Sequence, residues 1–146
     1  MPIEIMDCDG GMGNIVESRG IVKDQELVDS LKNHLTQDRE KFKEYKYILF
    51  DHTAVTKMSI SDETVELVAG LCADASKSNP DPVIAIVVYF SMAANIELIN
   101  RISKMYEMFL NQAGWESLVF RTKMEAVRWI RNKVRDKFGI DDLTFG

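Results

Sequence analysis

The apolar positions of this chain switch between two rhythms. In the opening "PIEIM", Ile3 and Ile5 alternate with Glu4 and Met6, which predicts a strand. "NIVESRGIV" predicts a second strand, and the intervening "CDGGMGN" predicts a hairpin turn in which glycine supplies positive φ without steric cost. From Lys23 to about Lys43, Leu27, Val28, Leu31, Leu35 and Phe42 recur at roughly helical spacing among charges. Tyr45 to Phe50 then form a compact strand. Ser59 or Ser61 caps the following helix, with Asp62 and Glu63 in its first turn, where the helix dipole favours acids. Val65, Val68, Cys72 and Ala75 continue its inner face, and the prolines of "KSNPDP" end it.

"PVIAIVVYF" is the most apolar run, β-branched and unalternating, as a central strand covered on both faces requires. In the third helix, Ile99, Ile102, Tyr106, Phe109, Leu110 and Ala113 share one stripe, and Gly114 is placed to close it. "WESLVF" is a short strand. The last helix, "TKMEAVRWIRNKVRDKF", is expected to bury Met124, Val127, Ile130, Val134 and Phe138, leaving residues 138–146 as a short tail. The order ββαβαβαβα predicts one α/β domain over residues 1–146: a mixed, mostly parallel sheet of about five strands with four helices.

At 146 residues, with 46% hydrophobic and 28% charged residues, the chain can bury about two-thirds of its unfolded surface. No apolar run approaches the roughly eighteen residues of a membrane-spanning helix. The acidic N-terminus does not read as a signal peptide, so a cytoplasmic protein is expected. Cys8 and Cys72 form no CxxC pair, and with only two histidines no metal site or cofactor is expected. The net charge of −5 argues against a nucleic-acid partner. That charge is unevenly spread: seven basic and two acidic residues between Arg121 and Lys137 give a local +5, leaving −10 elsewhere. A basic helix on an acidic body is first of all a solvated face.

Ligands of open α/β sheets gather at the carboxyl ends of the strands. Asp51, His52, Ser91, Asn95 and Arg121 are expected there and form the candidate cleft for a small apolar or anionic ligand. A hydrolase reading would make His52 a general base for Ser59, Ser61 or Ser91. It ranks last, because adjacent strand residues such as Asp51 and His52 point to opposite faces and "YFSMA" lacks a nucleophile elbow. The plainer roles are Asp51 as an acceptor for backbone amides and His52 as a partly exposed loop residue. Nor do Gly11 and Gly13 make a dinucleotide loop, since a strand follows them. His34, near the end of the first helix, is assigned no chemistry. Met108 and Trp129 fall off the apolar stripes and mark an interaction surface or a homodimer contact.

The element order resembles the STAS fold, named for sulfate transporters and anti-sigma-factor antagonists. "YKYILFDHTAVTKMSIS" and "GWESLVFRTKMEAVRWI" are similar to a largely uncharacterised bacterial, anti-sigma-factor-antagonist-like branch. The resemblance spans roughly Asn14 to Val134 and implies a stand-alone regulatory module that docks a protein partner, kinase-type or another regulator, near the start of the second helix. In signalling members a serine there is phosphorylated. Here gapless matching from Asp51 puts that position on Ile60, between Ser59 and Ser61, so the phosphoserine switch is either moved by one residue or absent, and absence is the favoured reading.

Overall fold

The computed structural model describes residues 3–37, 39–88 and 96–146. Five strands form one sheet in the order β1-β2-β3-β4-β5. β1 (Ile3–Cys8) pairs antiparallel with β2 (Gly13–Lys23), and β3 (Tyr47–Ser59), β4 (Val83–Val87) and β5 (Ser117–Phe120) follow in parallel. This is the mixed, mostly parallel sheet that the sequence predicts. The hairpin turn works as expected, with Asp9, Gly10 and Gly11 all at positive φ.

Helices α1 (Asp24–Lys32), α3 (Asp62–Ser78) and α4 (Ile96–Ala113) cover one face through Leu27, Leu31, Val68, Cys72, Ile102 and Phe109. α5 (Lys123–Phe138) covers the other, setting Ala126, Ile130 and Val134 on Tyr47, Leu49, Val83 and Ala85. β4 lies between these layers with all five residues buried, which is why it reads as an unbroken apolar run.

The expectations for the first helix and for Met124 need correction, and the short tail has a place of its own. The first predicted helix is not continuous: α1 gives way to a π-helical turn, Asn33–Gln37, and a short α2, Arg39–Phe42, so the α-helices among the described residues number five instead of four. The apolar gap between Leu35 and Phe42 is the trace of that break. Met124 is 73% exposed instead of packed with Val127 and Ile130. The tail is docked: Leu143 is buried, the Phe145 ring lies 4.9 Å from that of Tyr47, and Asp9 holds Thr144 and Phe145.

The largest departure is β3. The sequence places a loop after Phe50, yet the strand runs on to Ser59 as a ribbon with the second half of β2. Between Glu17 and Arg19, and again between Gly20 and Ile21, β3 carries one residue more than β2. Each such bulge slips the alternation by one position. His52, Val55 and Met58 therefore point inward at intervals of three, a pattern that period-two reading takes for a loop.

Candidate functional site

Asp51 pairs with Val87 at the point where β4 ends and the β2–β3 ribbon leaves the sheet. Its Oδ1 accepts from the Thr53 amide at 3.0 Å and the Thr53 hydroxyl at 2.7 Å, the amide-fixing role expected of it. It borders a shallow groove of about 170 Å³ with Glu17, Ser18, Arg19, Thr53 and Ala54.

His52 points the opposite way and is buried, not partly exposed. The strand continues through it, so α4 packs over its ring. One nitrogen, Nε2, lies 2.6 Å from the Tyr106 hydroxyl, while Nδ1 has no partner among the described residues. Burial lowers its pKa to about 4, only partly opposed by Asp51, so the ring is neutral. Asp51 and His52 are thus separated by the sheet. Ser91 and Asn95 lie outside the described residues. Arg121 is exposed just beyond β5. Among the described residues, the predicted strand-end cleft is not assembled.

The start of α3 is more ordered. Ser59 is exposed at the end of β3. Ile60 is buried, and its carbonyl accepts from the Arg101 guanidinium of α4. Ser61 is the N-cap: its hydroxyl accepts from the Thr64 amide at 3.2 Å, and its own amide donates to Asp24 at 2.8 Å. Asp24, Asp62 and Glu63 surround that cap with negative charge, a poor setting for a phosphate on Ser61.

Between this cap and α4 opens a groove of about 320 Å³. Ile60, Val65, Met105 and Met108 give it an apolar lining, and Asp62, Arg101 and Lys104 give it charge. Met108 is 40% exposed, as its off-stripe position predicts. Arg101 and Lys104 do not figure among the sequence candidates. Their signal was legible, since positions 101, 104, 105 and 108 share one side of a helix.

A second polar cluster joins the hairpin to the π-helical turn. The Asn14 amide nitrogen lies 2.9 Å from His34 Nε2, and the Tyr45 hydroxyl donates to Asp7 at 3.0 Å. Lys41 forms an ion pair with Asp7. His34 is buried and its pKa falls to about 4, so it carries no helix-end charge. Among the described residues no cluster of metal-ligating side chains occurs, and no helix is long and apolar enough to cross a membrane.

No family model matches the chain, and no curated protein matches its sequence. Among solved structures it is similar to an uncharacterised protein of the DUF3478 family with a SpoIIAA-like fold, from Shewanella loihica PV-4. The two share 17% identity over 88% of this chain and 91% of that one, with a TM-score of 0.50. The likeness carries the fold alone. The chain has the SpoIIAA-like, STAS-like architecture that its sequence resembles.

Proposed function

We propose that the protein is an interaction module that docks a protein partner at the start of α3, in the groove between α3 and α4. One observation carries the reading: an apolar lining of Ile60, Val65, Met105 and Met108 is bordered by the cations Arg101 and Lys104. Such a groove suits an apolar side chain flanked by acids, in the manner of a helix or loop anchored at one hot spot. Flexible methionines let the lining adapt. Docking is constitutive, because Ile60 stands where a phosphoserine would and Ser61 is committed to the helix cap. Two unpaired buried thiols, Cys8 and Cys72, support a cytoplasmic location for the module.

The test is gentle isolation of tagged protein from its own cells beside two variants, Met108→Glu and the double change Ser59→Asp, Ser61→Asp. Both put negative charge on the docking face. Wild type is expected to retain a stoichiometric partner whose cross-links map to Lys104, with at least about tenfold weaker binding in Met108→Glu. A partner held equally by all three proteins, or a wild type carrying only a small molecule, overturns the reading.

A further inference from the structure

β5 is an edge strand, paired only with β4, and no strand among the described residues covers its outer side. Its two central residues are both large, apolar and exposed: Leu118 at 48% and Val119 at 39%. They lie on opposite faces. Leu118 pairs with Ala85 on the α5 side, and Val119 pairs with Ile86 on the α4 side. Edge strands are ordinarily guarded by shortness, an inward lysine, a proline or a bulge. β5 is short, at four residues, but has none of the others.

The charges flanking β5 say what fits there. Glu116 precedes it, and Arg121 and Lys123 follow. In an antiparallel pair the start of one strand meets the end of the other. A second copy of the chain therefore sets Glu116 near the basic end of its partner strand, twice over. With Val119 opposite Val119 of the second copy, Leu118 faces Phe120 and Ser117 faces Arg121. Directly opposed residues share a face, so this register keeps apolar side chains together on both sides of the sheet.

The basic helix does not oppose the pairing. Along this edge α5 presents Trp129, whose ring lies 5.5 Å from that of Phe120, and Lys133, which is paired with Glu116 at 3.3 Å. Arg131 lies over the Phe145 ring and, with Arg128, Met124 and Val127, borders a different groove on the helix.

We infer that two copies of the chain join through their β5 edges about a two-fold axis, continuing the sheet across the dimer. Such an interface is isologous and closed, so it ends at two. It is separate from the α3–α4 groove and stands without the docking proposal.

Sedimentation of the full chain across a micromolar concentration series tests it. Wild type is expected to sediment as a dimer at the upper end. Leu118→Lys and Val119→Lys alter exposed side chains and should remain folded by circular dichroism, with dimerisation weakened at least about tenfold. Glu116→Arg should weaken it too, and adding Arg121→Glu should restore it by reversing the charge pattern. A wild type that is monomeric at every concentration overturns the inference and leaves the edge to a strand from another protein. A dimer undiminished in both lysine variants overturns it as well, and a charge reversal without rescue overturns the antiparallel register.

Discussion

A methyl group has no room at Gly13. An ideal Cβ there would lie 2.1 Å from the ring of Tyr47, which is fully buried and donates from its hydroxyl to Asp9 at 2.6 Å. Gly10 and Gly11 are different: they have open space and need glycine for positive φ. Gly13→Ala must displace the Tyr47 ring, and with it the carboxylate that holds the tail. We expect a loss of about 1–3 kcal/mol in urea unfolding, the usual cost of overpacking a filled site. A midpoint within error of wild type would mean that the ring has room to move. The turn was legible from its glycines, but the role of Asp9 was not. Its partners Thr144 and Phe145 lie at the far end of the chain, and no local pattern announces such a contact.

At the scale of elements, period-based reading worked where side chains alternate or follow a helical stripe. Gly114 and Gly139 take positive φ immediately after α4 and α5, where the sequence places their ends. Reading failed where geometry departs from a fixed period. The two extra residues of β3 turn a strand into an apparent loop, and the π-helical turn divides an apparent single helix. It failed again in the tail, whose few apolar residues carry no period at all. Leu143 and Phe145 nevertheless pack on the second core, which α5 covers only in part. Leu143→Ala should therefore cost about 2–4 kcal/mol, as deletion of a buried leucine does, instead of the few tenths expected of a loose end. Chemical denaturation of the variant distinguishes the two. The candidate site was half legible on the same grounds. Ser61 and Met108 follow from capping and stripe rules and the opposite facing of Asp51 and His52 from strand alternation, whereas the burial of His52 depends on the strand continuing past Phe50.

Over the whole molecule, two buried histidines link stability to pH. His34 and His52 fall from an ordinary 6.5 to about 4, because burial in each case disfavours the charged ring. In the unfolded chain both take up a proton as pH drops through 6.5; in the folded chain neither does until about 4. Between these values the unfolded state binds more protons, so stability falls as pH falls, by up to about 1.4 kcal/mol per pH unit for each histidine. Below that window the carboxylates take over. Asp9 is raised by burial but held lower overall by its donors from Thr144, Tyr47 and Phe145. Asp7 is likewise raised by burial, and Lys41 and Tyr45 outweigh it. Their contribution is present above the ordinary 3.8 and is lost as pH falls further. Unfolding free energies measured across this range should be flat near neutrality and steepen below about pH 6.5. His52→Phe removes one of the two protons and fits the apolar ring contacts with Tyr106, so it should lower stability at neutral pH yet roughly halve the slope. An unchanged slope would show that His52 titrates like an exposed histidine, and α4 would then not seal the sheet at that point.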